Sequence, residues 1–405
     1  MRRGSSRARR SRQSAARVLW WTALFAAGCA APRPPPPRSE QGQTARPADT
    51  GATPTPGELA AQAPQSTEQK SIVLIAGGDV TLGYHFEEYF DQQVAKGVSR
   101  EEMLGYGFRQ VRSAVSPTDL FLVNLECPFT SRGDKLAKNF NFRARPELVA
   151  VLLAGRIGAV SLANNHLMDY GPIGLIDTLQ TLEAAGVPHF GAGRTLGEAR
   201  RPAIVERNGV RIALLGYFFL GDHNIEPPEV IATDERPGVA GHYSSASAVE
   251  AMLREDVAAA RSKADLVIPF FHWGREGSHE PEPYQVLLAH AAIDAGAAAV
   301  LGSHPHVLQG MELYRGAPIV YSLGNFVFGG HWDPKDKEAA LFKARFTSRG
   351  FLTSEIIPLH TDRNPQFPMQ PFVLEGEGAA AVLEHLAQYS RAFEKPLVPL
   401  AANER

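Results

Sequence analysis

Ala297-Ala298-Ala299-Val300-Leu301-Gly302-Ser303-His304-Pro305-His306 sets a short apolar run directly before two histidines. Ala297–Leu301 reads as a buried strand, and the pair follows its carboxyl end. Histidines one residue apart at such a point present ring nitrogens to one spot in a cleft. Pro305 stiffens the backbone between them and removes an N–H that would need a partner. Neutral imidazole is the commonest protein ligand for Zn, Fe, Mn and related ions. Read alone, the pair fits a packed core or a turn as well as a metal.

The same arrangement recurs upstream. Ser71–Ala76 reads as a strand followed by Gly77-Gly78-Asp79. Asp119–Asn124 is a second strand and runs into Asn124-Leu125-Glu126. Ala159–Leu162 is a third, preceded by the helical stretch Pro146–Gly155 and followed by Asn164-Asn165-His166 and Asp169. Arg211–Tyr217 and Asp265–Phe271 are further strands, the second leading into His272-Trp273-Gly274. Helices are predicted over 172–185, 244–262 and 283–295, the last two from apolar residues at helical spacing. Alternation of this kind predicts an α/β fold with buried strands. Met311–Tyr314, Pro318–Tyr321, Ala339–Phe346 and Phe351–Pro358 read as strands joined by turns, so an antiparallel portion is expected near the carboxyl end. Tyr321–Phe326 reads as a strand leading into a turn, with Asn325 a candidate to line the cleft.

Each polar residue has a plain reading by itself. Asp79 and Asn165 suit turns or helix caps, and a lone His272 suits a satisfied core histidine. Five strand ends carrying Asp, Glu, Asn or His form a convergent signal, because ligands in open α/β sheets gather outside the carboxyl ends of the strands. A carboxylate bridging two cations, with histidines and an asparagine oxygen around it, makes a two-metal site that acidifies a water and clamps attacking and leaving oxygens. Mixed nitrogen and oxygen donors suit Zn, Mn or Fe better than Ca or Mg. His166 can stay off the metal as general acid, with Asp169 fixing its tautomer; alternatively Asp169 turns the chain into the helix start at Gly171-Pro172.

Composition narrows the classes. A formal net charge of −2 gives no global field for nucleic acid or an anionic surface. No Gly-x-x-x-x-Gly-Lys-Ser/Thr loop and no Gly-x-Ser-x-Gly elbow occurs. The amino terminus reads as a targeting segment. Seven arginines fall between Arg2 and Arg17, no acid precedes Glu40, and the apolar run Val18–Ala27 leads to Gly28-Cys29. The run is short for a transmembrane helix. Ala26-Ala27-Gly28-Cys29 resembles a bacterial lipobox, with Ala26 where leucine is usual, so lipidation is expected at Cys29. The other cysteine of the two, Cys127, then has no disulfide partner and reads as a small buried residue. Nine prolines in residues 30–70 make that stretch a disordered tether. The expected organisation is a signal peptide over 1–29, a tether over 30–70, a main domain over 71–360 and a carboxyl-terminal extension over 361–405, packed on the domain or partly helical.

In this order and spacing, Gly78-Asp79-Val80, Asn124-Leu125-Glu126, Ala163-Asn164-Asn165-His166-x-x-Asp169-x-Gly171, His272-Trp273-Gly274, His304-Pro305-His306 and Ser322-Leu323-Gly324-Asn325-Phe326 resemble the bacterial capsule-synthesis protein CapA family over residues 72–330. That family is similar to the calcineurin-type metallophosphoesterases. The resemblance implies a four-layer α/β/β/α sandwich with a metal site made by Asp79, Glu126, Asn165, His272, His304 and His306. Glu126 takes the place of a bridging aspartate, or Asn124 faces the metal instead; Asn164 is a further cleft-lining candidate. Thr81 stands where those enzymes carry a histidine, leaving one site a ligand short, so one or two transition ions are implied. The leader and Cys29 make an exported, lipid-anchored protein of the cell envelope the expectation, which suits the role the resemblance implies in poly-γ-glutamate capsule synthesis or anchoring. Its partners would be surface polymer or its precursor, the membrane and other capsule-synthesis proteins. Its activity would be that of a phosphoesterase- or amidase-like hydrolase, or it would be a non-catalytic assembly component with a vestigial pocket.

Overall fold

The computed structural model describes residues 70–362 and 367–398. The targeting segment, Cys29 and all of the tether but Lys70 lie outside the described residues. In chain order, β1 (Ser71–Thr81) is followed by α1 (His85–Ala95), α2 (Arg100–Leu104), β2 (Leu120–Leu125), α3 (Val149–Ala154) and β3 (Ala159–Ser161). Next come α4 (Gly171–Ala185), β4 (His189–Phe190), β5 (Ala192–Gly193), α5 (Leu196–Ala199), β6 (Ala203–Arg207), β7 (Val210–Phe219) and β8 (Gly238–Val239). The chain continues through α6 (Ala246–Ala260), β9 (Leu266–Trp273), α7 (Pro283–Asp294), β10 (Val300–Ser303), β11 (Met311–Tyr314), β12 (Ala317–Val320) and β13 (Asn325–Phe328). It ends in β14 (Glu338–Thr347), β15 (Gly350–His360), β16 (Phe372–Val373) and α8 (Gly376–Ser390).

The strands form an 8-stranded sheet, ordered β16-β15-β14-β1-β2-β3-β4 with β13 beside β1, and a 6-stranded sheet ordered β11-β12-β10-β9-β7-β6. β1, β2, β3 and β4 run parallel, as do β7, β9, β10 and β12. The expected antiparallel portion is present: β14 pairs antiparallel with β1 and β15, and β11 with β12.

Period-2 alternation builds four layers from these two sheets. Ile72, Leu74, Leu120 and Leu122 of the larger sheet share one core with Ile212, Leu214, Leu266, Ile268 and Phe270 of the smaller. Their neighbours point the other way. Ile75, Phe121 and Val123 pack on Phe86 and Phe90 of α1, Val151 and Leu152 of α3, and Leu175 and Leu179 of α4. Leu215, Val267 and Phe271 pack on Val249 and Leu253 of α6 and Leu288 of α7. The order is therefore helices, sheet, sheet, helices. Val382 and Leu386 of α8 join the inter-sheet core.

This alternation also aims the polar residues. Asn124 continues the face of Leu120 and Leu122, and His272 the face of Leu266, Ile268 and Phe270, so both point between the sheets. Asp79 has the wrong parity for this after Ile72, Leu74 and Ala76. A bulge between Ala76 and Asp79 corrects it, turning Asp79 inward and Val80 out to the helix-side core. Gly77-Gly78 therefore does not end the first strand: β1 runs on to Thr81. Gly78 is needed because a Cβ there would lie 1.8 Å from the Gly324 carbonyl oxygen. Asp79 and His272 thus sit inside strands rather than past their ends. The strand expected at Tyr321–Phe326 forms later, over Asn325–Phe328.

Candidate metal centre

The carboxyl ends of β1, β2 and β3 in one sheet meet those of β9 and β10 in the other, and the polar residues converge there. Asp79 is paired in register with Asn124 on one side and Asn325 on the other. Asn124 Nδ2 donates to Asp79 Oδ1 at 2.8 Å, and the His304 backbone N–H donates to Oδ2 at 3.2 Å. Burial works against the charge on Asp79, yet contacts from His306 and Asn124 hold its carboxyl below the ordinary value.

Glu126 follows β2 and is fully buried. Its backbone is pinned to β1: its N–H donates to the Val80 carbonyl at 2.8 Å, and the Thr81 hydroxyl donates to its carbonyl at 3.1 Å. Its side chain is in the opposite condition. Neither carboxylate oxygen has a hydrogen-bond partner among the described residues. Around Oε1 stand three imidazole Nε2 atoms, those of His272 at 3.7 Å, His306 at 3.8 Å and His166 at 3.9 Å. These separations are too long for hydrogen bonds. An unpartnered buried carboxylate is costly, and burial together with the charge of Asp79 pushes this one well above its ordinary range. A divalent transition ion fits this donor set: it would supply the missing partner with ligand types it prefers.

Two donor triads share Glu126. Glu126, His272 and His304 form one and Asp79, Glu126 and His306 the other, each with ligand atoms within 4.8 Å of one another. His272 Nε2 lies 2.8 Å from Asn165 Oδ1 and 2.9 Å from His304 Nδ1, which adds the Asn165 oxygen to the first triad. Burial pushes His272 well below its ordinary range and His304 down to about 3, leaving both rings neutral and free to ligate. His306 goes the other way. Burial opposes its proton, but Glu126 and Asp79 overcome this and raise it to about 10. The paired carboxylates therefore demand positive charge at this point. The His304 and His306 backbones both lie at positive φ, 102° and 58°, a strained region for residues with a Cβ. Pro305 between them accepts the Gly277 N–H at 2.9 Å, which ties the turn down.

His166 and Asp169 sit at the helix-side wall. His166 Nδ1 lies 2.7 Å from Asp169 Oδ2. A carboxylate there holds the proton on Nδ1 and turns Nε2 toward Glu126. Burial lowers the affinity of His166 for a second proton, and Asp169 opposes that effect. Asp169 Oδ2 also accepts the Phe142 N–H at 2.6 Å, and the Phe142 ring packs on His166 at 4.2 Å between centroids.

Lys138 and Glu226 were not anticipated from the sequence. The Lys138 ammonium lies 2.9 Å from Asp169 Oδ1 and 2.7 Å from Glu226 Oε2, and donates to the Asn165 carbonyl at 2.9 Å. Glu226 Oε1 accepts from Asn165 Nδ2 at 3.1 Å, fixing which end of that amide faces His272. Both come from irregular loops with no motif around them, so no local signal exists.

The remaining asparagines are placed as follows. Asn164 donates to Asn124 Oδ1 and the Leu125 carbonyl and accepts the N–H groups of His166 and Leu167, so it shapes the turn beneath the site. Asn124 is buried between Asp79 and His272. Asn325 Oδ1 lies 3.0 Å from His306 Nδ1. Cys127 is buried, with its thiol pushed up to about 12, and serves as packing.

Residues 73–330 match the family described as bacterial capsule synthesis protein PGA_cap. The chain is 31% identical over 313 residues to the capsule biosynthesis protein CapA of Bacillus anthracis, covering 75% of this chain and 70% of that one. It is 31% identical over 285 residues to the PGA biosynthesis protein CapA of Bacillus subtilis, covering 70% of each. It is 32% identical over 258 residues to a probable polyglutamine synthesis accessory protein of Mycobacterium tuberculosis, covering 61% of this chain and 67% of that one. Among solved structures, TT1561 of Thermus thermophilus aligns with a TM-score of 0.36 and 11% identity, over 70% of this chain and 97% of that one.

Proposed function

The chain belongs to the bacterial capsule synthesis protein family, and from that premise we propose that it is a divalent-metal hydrolase acting on a capsule polymer or its phosphorylated precursor. The observation that carries this reading is Glu126: a fully buried carboxylate ringed by three imidazole nitrogens and hydrogen-bonded to none. Asp79, Glu126 and His306 would hold one ion; Glu126, Asn165, His272 and His304 would hold a second. Divalent ions bound there supply Lewis acidity, polarising a phosphoryl or acyl oxygen and acidifying water. His166 stands beside them off the metal. Its Nε2 would take up a proton, against the burial that lowers its affinity for one, and hand it to the leaving group while Asp169 holds the proton on Nδ1. Lys138 keeps Asp169 and Glu226 in place.

The polymer follows from the relatives, two of which are named for PGA or polyglutamine synthesis. Poly-γ-glutamate or its precursor is the substrate class, and other capsule-synthesis proteins are the partners. The arginine-rich leader and Cys29 support export and a lipid anchor in the envelope membrane.

The test is elemental analysis of the purified full chain, joined to an activity screen on phosphodiesters and γ-glutamyl amides. Bound Mn, Zn or Fe, with cleavage of one substrate class that falls about tenfold or more in His166→Ala, supports the reading. A full chain that takes up no transition metal overturns it. Thr81 favours a second reading. Its hydroxyl is spent on the Glu126 carbonyl, so the ligand expected at that position is missing and the pocket would be a vestige in a non-catalytic assembly component. A capsule that forms normally when His304→Ala and His306→Ala are combined favours this reading over the hydrolase.

A further inference from the structure

We propose that Glu276 is a further carboxylate ligand of the metal centre, meeting His304 and His306 from the solvent side. The inference rests on the metal-centre reading above. Glu276 forms a third triad with His304 and His306, its ligand atoms again within 4.8 Å of one another. The two histidines are thus shared by carboxylates of opposite exposure: Glu126 is fully buried, whereas Glu276 is exposed.

The loop that carries it is built. Gly274 and Gly277, at φ 89° and 72°, bend the chain on either side of Arg275-Glu276. The Gly274 N–H donates to Tyr284 Oη at 2.7 Å, and the Gly277 N–H to the Pro305 carbonyl at 2.9 Å. The second bond fastens the loop to the turn that carries His304 and His306. The side chain of Glu276, by contrast, has no hydrogen bond or ion pair among the described residues, although its charge acts on both Glu126 and His306. A carboxylate held at the mouth of a histidine cluster and otherwise unengaged is placed to ligate. It would add a donor to a centre left a ligand short by Thr81, whose side chain is turned to the Glu126 backbone.

The experiment titrates the chelator-stripped full chain with Mn2+ in a calorimeter, comparing wild type, Glu276→Gln and Glu280→Gln. Glu280 is an exposed acid of the same segment outside the triads and controls for loss of surface charge. Losing an outer-sphere partner of a metal site costs about 10–100-fold in affinity, so losing this ligand should weaken at least one Mn2+ step by about tenfold or more. Glu280→Gln should match wild type, and the thermal midpoint of the metal-free protein should be the same in all three. A Glu276→Gln isotherm that superimposes on wild type overturns the assignment while leaving the metal centre standing. A wild type that binds neither Mn2+ nor Zn2+ overturns both.

Discussion

At the scale of single residues, the site depends on a cation the sequence hid. Lys138 is the counter-charge for two buried carboxylates, Asp169 and Glu226, and those two fix His166 and Asn165. Removing one partner of a buried ion pair costs about 3–5 kcal/mol, because the charge left behind has no compensation. Lys138→Met should therefore lower stability in urea unfolding by about that amount, and Glu226→Gln in the same chain should restore part of it. Equal losses in the single and double variants would sever Lys138 from Glu226. His304, His306, Asn165 and His166 were legible because each sits in a short motif beside an apolar run. Lys138 and Glu226 were not, since each reaches the site from a loop whose neighbours in sequence say nothing about chemistry. Only the meeting of distant segments gives these two a role.

At the scale of elements, the alternation of apolar residues made β2, β3, β7 and β9 readable to within a residue or two, and α4, α6 and α7 likewise. β1 misled at one point. Gly77-Gly78 has the spelling of a turn, but the glycines serve a bulge and a close approach between β1 and the turn before β13. α1 was missed, and its residue pattern explains why: Phe86 and Phe90 are its buried residues amid Glu, Asp and Gln, too few to announce a helix. The close approach gives a prediction. Gly78→Ala puts a methyl group 1.8 Å from the Gly324 carbonyl oxygen, and overpacking of this kind costs roughly 1–3 kcal/mol. A Cβ on Gly197, in α5, meets nothing within 4 Å, so Gly197→Ala should be neutral or slightly stabilising. Thermal unfolding of both variants checks this; a Gly78→Ala midpoint equal to wild type would mean that β1 and Gly324 can move apart freely.

At the scale of the whole molecule, the donors come from the strands and strand ends of two sheets: Asp79, Glu126 and Asn165 from one, and His272, His304 and His306 from the other. An ion between them would join the sheets beyond what their shared apolar core provides. At a free concentration about a hundredfold above its Kd, a ligand that binds only the folded state adds about 2.7 kcal/mol. Mn2+ or Zn2+ should thus raise the unfolding midpoint of the full chain by several degrees, and a chelator should reverse the rise; coincident melting curves with and without metal would count against an ion shared by the sheets. The span of the donors along the chain has one more consequence. From Asp79 to His306 the set covers most of the described residues, and no metal site of this kind exists before folding. On the metal-centre reading, the full donor set closes only when the last histidine has emerged and the second sheet has formed. An ion bound there would be chosen by the compartment in which folding finishes, whatever metals are abundant where synthesis began.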